Sequence, residues 1–335
     1  MAGSSTSSVI AGISANFLVS IAKFIGFAVS GSGAMLSEAI HSVADTVNQA
    51  LLLVGLKRSE RGPDSQHPEG YGRERFFWGL VSALGIFFLG AGVTLWHGIH
   101  AFMHPEPSTH GWVTWAVLIF ATVLEGGALA VATRGLFKDA KAAGISATQY
   151  FKEGRDPTLI AILAEDAAAV LGLLFAIAGI ALEASTGNPI WDASATLSIG
   201  VLLALVAIFL IRANRTFLLS RAIDSEVEDK IRAVFDKHPL VSSVESLQGV
   251  VLTMGQYRVA ADLDFNGAEL ARRALSDKDL AKLKDELQSE EALGHFLESF
   301  AEELLQSLAL EVDKIEQEVR DAVPGITQLD LEAEG

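Results

Sequence analysis

The 335-residue sequence contains no cysteine. Disulfide bonds and thiolate metal ligands are therefore excluded, so a bound transition metal must use histidine, aspartate or glutamate. Basic residues are also scarce, because 25 Lys and Arg residues stand against 41 Asp and Glu residues. This acidic balance argues against nucleic-acid binding, which needs a basic surface. The sequence also lacks a His-Glu-x-x-His motif and a phosphate-binding loop motif, which argues against a metallohydrolase or other enzyme of those classes.

Charged residues are nearly absent from long stretches, and half of all residues are hydrophobic. Six apolar segments lie at about residues 9–29, 34–56, 77–103, 112–134, 159–183 and 193–212. Each is near or above the about 20 residues that a helix needs to cross the hydrocarbon core of a bilayer. The sequence therefore predicts an α-helical membrane protein with six spans, in residues 1–212. No secretory signal pattern precedes the first segment, so we interpret it as a retained span.

The loops alternate in charge. Basic residues follow the second and fourth segments, at Lys57, Arg58, Arg61, Arg73, Arg75, Arg134, Lys138, Lys141, Lys152 and Arg155. The other loops, at residues 30–33, 104–111 and 184–192, contain no Lys or Arg. Because basic loops remain in the cytoplasm, both termini are predicted to be cytoplasmic. The short N-terminus and the lack of cysteine favour a bacterial inner membrane.

Residues 213–335 form a predicted acidic cytoplasmic domain. A helical pattern at 225–237 precedes strand-like runs at 241–252 and 256–265, with Met254 and Gly255 as a turn. Helical patterns then run from 268 to 323, and a closing strand is predicted at 326–331. The resulting order of elements indicates an α+β domain. The long helix has an apolar stripe formed by Leu297, Phe300, Leu304, Leu308, Val312 and Ile315, which fits packing on its own sheet or across a dimer.

The second segment carries ionisable residues where the membrane makes them costly. His41 and Asp45 are four residues apart and share one helix face, and Glu38 precedes His41 by three residues. Ionisable residues inside a membrane are functional candidates by default, so the three side chains are a candidate cation site. The alternative is a His–Asp pair that only joins helices.

Other segments add further candidates. Glu165 and Asp166 are adjacent in the fifth segment. Glu125 in the fourth segment is a candidate proton relay, gate or partner of Lys23 in the first. In the cytoplasmic loop, Asp64 and His67 are candidates for an entering or regulatory ion, or for a turn. The outer end holds His97, His100, His104 and His110, a possible exit funnel, and Asp192, a predicted N-cap of the sixth helix.

Several blocks of the sequence, taken in order, resemble the cation diffusion facilitators, the zinc-transporter family, and a divergent branch of it that has a mitochondrial member. They are the His41-x-x-x-Asp45 pair and residues 37–42, 67–75, 90–92, 96–98, 104–107, 155–157, 163–172 and 187–189. The resemblance covers nearly the whole chain. It implies a homodimeric exporter that exchanges a divalent metal ion, usually Zn²⁺, for protons, with a ferredoxin-like cytoplasmic domain.

The resemblance also implies a tetrahedral transport site that joins the second-helix pair to a pair from the fifth helix. This sequence departs from that pattern, because Ile162 and Ala161 stand where a fifth-helix histidine is expected. Asp166 is then the equivalent ligand, with Glu165 or Glu38 in the fourth position. Such a site suits Zn²⁺, and its carboxylates also suit Mn²⁺ or Fe²⁺. No organic cofactor is expected. The alternatives are a transport-inactive membrane scaffold and a passive cation channel.

Overall fold

The structure is a computed structural model that describes residues 2–153, 157–253, 255–276 and 278–334. It divides into two compact units, Met1–Leu219 and Ser220–Gly335. Four residues used in the predictions, Arg155, Asp156, Met254 and Asp277, lie outside the described residues.

The first unit is entirely helical in the part described. Its helices are α1 (Ala2–Ser30), α2 (Gly33–Ser59), α3 (Glu74–Gly85), a π-helical segment (Ile86–Gly92), α4 (Val93–Met103), α5 (Trp112–Ala142), α6 (Ala147–Glu153), α7 (Pro157–Thr186) and α8 (Ile190–Leu218). Local signals explain several boundaries. Gly31 and Gly187 have positive φ angles of 69° and 67° just after α1 and α7, a conformation that glycine adopts without strain.

Five helical stretches are long and apolar enough to span a membrane: Gly33–Ser59, Glu74–Met103, Trp112–Ala142, Leu159–Thr186 and Ile190–Leu218. They correspond to the second to sixth predicted segments. The first predicted segment lies in α1, whose described apolar stretch is Asn16–Ser30. Large apolar side chains such as Phe88, Leu89 and Val123 are exposed on this unit, as expected for surfaces that face lipid. The chain is therefore a helical membrane protein.

The third span is not a uniform α-helix. Its middle section, Ile86–Gly92, is π-helical and joins α3 to α4 without a break. The apolar pattern predicts one regular helix here, and it gave no sign of the wider turn. Short π-helical turns within α-helices occur frequently at functional sites.

Small residues let the helices of the first unit approach closely. A Cβ atom added at Gly200 would lie 2.9 Å from the Leu95 side chain, and one at Gly179 would lie 2.9 Å from the Trp191 carbonyl oxygen. The core between the helices includes Ala121, Ala176 and other small or branched apolar residues. Close backbone approach through small residues is the usual packing of membrane helices.

The second unit contains α9 (Ser225–Phe235), β1 (Val241–Thr253), β2 (Gln256–Phe265), α10 (Gly267–Leu275), α11 (Leu280–Glu286), α12 (Glu290–Ala322) and β3 (Ile326–Glu334). The sheet order is β1-β2-β3, with β1 and β2 antiparallel and β2 and β3 parallel. Val259, Ala261 and Leu263 of β2 are buried, as their alternation predicts. The predicted α+β domain is confirmed.

The long helix α12 packs on this sheet only near its C-terminal end. Ile315 and Val319 are buried in the core with α9 and the sheet. Earlier in the predicted stripe, Leu297 is 55% exposed, whereas Phe300 and Leu304 are half-buried. Packing on the domain's own sheet therefore accounts for Ile315 but not for the first turns of the stripe.

Candidate metal site

Helix α2 brings the three predicted residues of the second span to one buried stripe. His41 Nε2 lies 3.5 Å from Asp45 Oδ2. Both His41 and Glu38 are buried. The start of the helix is fixed by Ser32, whose side chain accepts a hydrogen bond from the backbone N–H of Met35.

This stripe holds an unusual number of unsatisfied polar atoms. Among the residues described, five buried atoms of this stripe have no hydrogen-bond partner: Glu38 Oε1, His41 Nδ1, His41 Nε2, Ser42 Oγ and Asp45 Oδ1. Glu125 Oε2 on α5 also has none. Leaving a buried donor or acceptor unsatisfied costs about 1–3 kcal/mol, so native proteins rarely do it without a reason. The donor set of imidazole nitrogen and carboxylate oxygen suits a divalent transition metal or protons.

Lys23 lies between two carboxylates within the membrane unit. Its Nζ is 2.8 Å from Glu38 Oε2 and 2.6 Å from Glu125 Oε1, and the side chain is fully buried. The contact joins α1, α2 and α5. Of the roles considered for Glu125, the structure shows the ion pair with Lys23. Oε2 of Glu38 is thereby occupied, which leaves Oε1 as the Glu38 oxygen that can coordinate a cation.

Helix α7 presents the two carboxylates of the fifth span differently. Glu165 is buried, and its Oε2 accepts a hydrogen bond from Asn48 Nδ2. The Asn48 Oδ1 atom in turn accepts a hydrogen bond from Ser82 Oγ. Asp166 is partly buried and, like Glu165, lies close enough to Asp45 for electrostatic repulsion.

The α2 and α7 carboxylates do not converge on one point in this conformation. Across the described ranges, no group of three His, Asp or Glu side chains is close enough to hold a metal ion. The structure therefore brings His41 and Asp45 together, and it leaves Asp166, Glu165 and Glu38 outside their coordination distance. A complete four-ligand site requires a shift of side chains or helices.

The loop candidates form a turn. Asp64 Oδ1 accepts hydrogen bonds from the backbone N–H groups of Gln66 and His67, and Asp64 Oδ2 accepts one from the Tyr71 hydroxyl. The Tyr71 hydrogen bond lowers the pKa of Asp64. His67 Nδ1 lies 3.7 Å from Asp64 Oδ1. Because both oxygens of Asp64 stabilise the loop, the arrangement fits the turn better than an ion site.

Polar contacts hold the loop between α4 and α5, which contains His104 and His110 of the predicted funnel. Glu183 of α7 accepts hydrogen bonds from the backbone N–H and the hydroxyl of Ser108, at 2.8 and 2.6 Å, and lies 3.5 Å from His110. The Thr109 N–H donates to the Ser30 carbonyl oxygen. These contacts fasten the loop between α4 and α5 to the ends of α1 and α7.

Asp192 was predicted to cap the sixth helix, α8, but it caps α2. It lies in the first turn of α8, where Pro189 is the N-cap residue. Its carboxylate instead accepts hydrogen bonds from Ser32 Oγ at 2.5 Å and from the Gly33 N–H at 2.7 Å, so it caps α2. The prediction failed because the sequence does not show which helix start lies across from the side chain.

The sequence analysis also missed Asn48 and Ser82. A signal was present, because His41, Asp45 and Asn48 follow the i, i+4, i+7 spacing of one helix face. Ser82 has no such signal, since its contact with Asn48 depends on how α3 packs against α2.

Comparison with known proteins supplies the family. Residues 9–219 match the cation efflux transmembrane domain. The chain is 36% identical over 313 residues to the human protein called proton-coupled zinc antiporter SLC30A9, mitochondrial. The matched region covers 92% of this chain and 55% of the human protein. It is 37% identical over 324 residues to metal tolerance protein C4 of Arabidopsis thaliana, covering 95% and 71%. A magnetosome protein, MamM of Paramagnetospirillum magneticum, is 32% identical over 114 residues, covering 32% and 34%. The chain therefore spans about half the length of the human relative.

Proposed function

This chain belongs to the cation efflux family of membrane transporters, and we propose that it exchanges a divalent metal cation, foremost Zn²⁺, for protons. The observation that carries the proposal is the His41–Asp45 pair within a membrane span, in which both His41 nitrogens and Asp45 Oδ1 lack hydrogen-bond partners. The printed name of the human relative, a proton-coupled zinc antiporter, supports the same cargo and coupling.

The proposed transport site consists of His41, Asp45 and Asp166, with Glu165 as the fourth ligand. Glu165 is preferred to Glu38 because Glu38 is neutralised by Lys23 on α1, whereas Glu165 faces an uncharged amide. One imidazole and three carboxylates suit tetrahedral Zn²⁺, and the oxygen-rich set leaves Mn²⁺ and Fe²⁺ as secondary substrates. Movement of α7 toward α2 would bring the ligands together.

Proton exchange follows from the ligands themselves. A metal ion binds neutral imidazole and ionised carboxylate, so its arrival releases protons and the arrival of protons releases it. A single site open to each side in turn then couples the two fluxes. Glu183 accepts two hydrogen bonds from Ser108 at the predicted outer end, and we propose that these contacts break when the site opens outward.

The charge pattern of the loops supports the proposed orientation, in which both termini and the acidic second unit lie in the cytoplasm. The lack of cysteine supports export across a bacterial inner membrane, and membership of the family supports a homodimer. In this division, residues 1–212 form the transport domain and residues 213–335 form the cytoplasmic domain.

Zinc uptake into proteoliposomes, with and without an imposed pH gradient, tests this function. We expect uptake driven by the gradient in the wild type, and its loss in His41→Ala and Asp45→Asn. The matched control is His100→Ala, because His100 is an exposed histidine of the third span that has no part in the proposed site.

Two outcomes would contradict the antiporter proposal. Zinc flux that ignores the pH gradient would identify a passive channel, which needs no proton switch. Absence of flux of Zn²⁺, Mn²⁺ and Fe²⁺ in a folded wild-type protein would identify a transport-inactive scaffold.

A further inference from the structure

Asn48, Ser82 and Glu165 form a buried hydrogen-bonded chain that crosses three helices. Ser82 Oγ of α3 donates to Asn48 Oδ1 of α2, and Asn48 Nδ2 donates to Glu165 Oε2 of α7. Asn48 and Ser82 are each 2% exposed. Burying polar groups in a membrane unit is costly unless they are paired, so this chain requires a structural or functional reason.

The position of the chain connects it to the proposed transport site. Asn48 follows Asp45 by three residues, toward the end of α2 that carries Lys57 and Arg58. A cavity of about 20 Å³ is lined by Asn48, Glu165, Arg75 and Asn214 together with apolar residues. That volume is close to the space that one water molecule occupies. Glu165 and Asn48 thus both border a water-sized space, and Asn48 lies one helical turn from Asp45.

The chemistry of the amide determines what Glu165 can offer a cation. The lone pair of the Asn48 amide nitrogen is delocalised and unavailable to a metal, and the Asn48 oxygen accepts the Ser82 hydrogen bond. Oε2 of Glu165 accepts a hydrogen bond from that nitrogen, which orients the carboxylate and takes up one lone pair of Oε2. This orientation favours an ion bound through Oε1 over an ion bound through both oxygens.

We propose that Asn48 and Ser82 are specificity-determining residues that restrict Glu165 to one metal–oxygen bond. One oxygen from Glu165 keeps the site four-coordinate, which Zn²⁺ prefers, whereas a second oxygen would raise the coordination number toward the octahedral sets that suit Mn²⁺. The inference rests on the proposed function, because it takes Glu165 as a ligand of the transported ion.

The test is the ratio of kcat/KM for Zn²⁺ to that for Mn²⁺, measured by uptake into proteoliposomes. Both values come from the same preparation, so the ratio is independent of yield. In Asn48→Leu, which preserves side-chain size and removes the donor, we expect the ratio to fall about 10-fold or more, within the range that partners of metal ligands contribute. Ser82→Ala should shift the ratio in the same direction but less, because it only loosens the Asn48 amide.

The matched control is Asn214→Leu. Asn214 lines the same cavity, but its Nδ2 donates to the Leu210 carbonyl oxygen and makes no contact of this kind with Glu165. The ratio should stay at the wild-type value in this variant. A similar fall in Asn214→Leu would overturn the proposal, because it would show a general effect of the cavity on selectivity.

A Zn²⁺-to-Mn²⁺ ratio that is unchanged in both Asn48→Leu and Ser82→Ala would also overturn the specificity proposal. If Asn48→Leu fails to fold, Ser82→Ala decides the matter, with competitive binding of Zn²⁺ and Mn²⁺ to the purified protein as a second readout. Failure of the proposed function is distinguishable, since it would appear in the wild type, as uptake that ignores the pH gradient or as no uptake, before any ratio is compared.

Discussion

At the scale of single residues, burying charge is the dominant energetic cost inside the membrane unit. This charge is compensated at Glu38 and Glu125 but not at His41 and Asp45. Lys23 compensates Glu38 and Glu125 directly, with contacts of 2.8 and 2.6 Å. His41 and Asp45 lack such compensation, and several of their atoms have no partner among the described residues. We infer that Lys23 and its two carboxylate partners maintain the structure. The His41–Asp45 pair is available for a cation or protons.

This division predicts that Lys23→Met destabilises the protein strongly. Removing the cation leaves two buried carboxylates uncompensated, and breaking a buried ion pair from one side costs about 3–5 kcal/mol. Thermal unfolding of the purified protein in detergent should show a large fall in the midpoint. In the triple variant that adds Glu38→Gln and Glu125→Gln, the midpoint should recover most of the loss. A triple variant no more stable than Lys23→Met would contradict the ion-pair account.

Sequence alone reached part of the site at this scale. The spacing of His41 and Asp45 gives their shared helix face, because the helical period is fixed. Asn48 shares that face, but its contact with Glu165 and the contact of Ser82 with Asn48 could not be predicted, since both depend on how α2, α3 and α7 pack together. The pairing of Lys23 with Glu125 was one of several predicted alternatives, and the structure selected it.

At the scale of elements, the predicted spans and strands follow from hydrophobic patterns that the fold preserves. The apolar run of the third span and the alternation of β2 both correspond to observed elements. The π-helical segment Ile86–Gly92 and the capping of α2 by Asp192 were missed. The capping depends on a contact between helices, which the sequence pattern of one element does not record.

The second unit offers a prediction about how α12 is attached. Glu311 of α12 lies 2.6 Å from Lys314, 3.5 Å from His238 and 3.9 Å from Arg273 of α10. The Lys314 hydrogen bond is the main cause of a lowered pKa for Glu311, opposed by partial burial and assisted by the charge of Arg273. The ionised carboxylate therefore stabilises the packing of α12 beside α10.

We expect Glu311→Gln to reduce that stability by about 1 kcal/mol at neutral pH. Because the folded pKa lies below the ordinary 4.5, the contribution of the carboxylate is fully present above that pH and disappears as pH falls through the folded value. Hydrogen exchange of α12 in the full chain measures the effect, after correction for the intrinsic exchange rate. Glu316→Gln, which removes a partly exposed pair with Arg320 within the helix, is the control. A difference between the Glu311→Gln variant and the wild type that persists unchanged well below pH 4 would contradict the assignment.

At the scale of the whole molecule, the two units divide the chemistry. Of the 41 acidic residues, 26 lie after residue 212, together with 13 of the 25 basic ones, so most of the net negative charge belongs to the chain beyond the spans. The membrane unit buries few of its charges, and the ionisable side chains that are buried among its described residues lie on α1, α2, α7 and α8. The family assignment and the broad fold could be predicted from sequence, whereas contacts between helices, such as that of Asp192 with Ser32, required the structure.

The location of the bound metal tests the central claim most directly. In a structure of the protein prepared with Zn²⁺ and recorded at the zinc absorption edge, we predict anomalous density about 2.0–2.2 Å from a His41 nitrogen and an Asp45 oxygen. The same density should be lost in Asp45→Asn. A zinc ion within the membrane unit that is bound elsewhere, with His41 and Asp45 uncoordinated, would contradict the account.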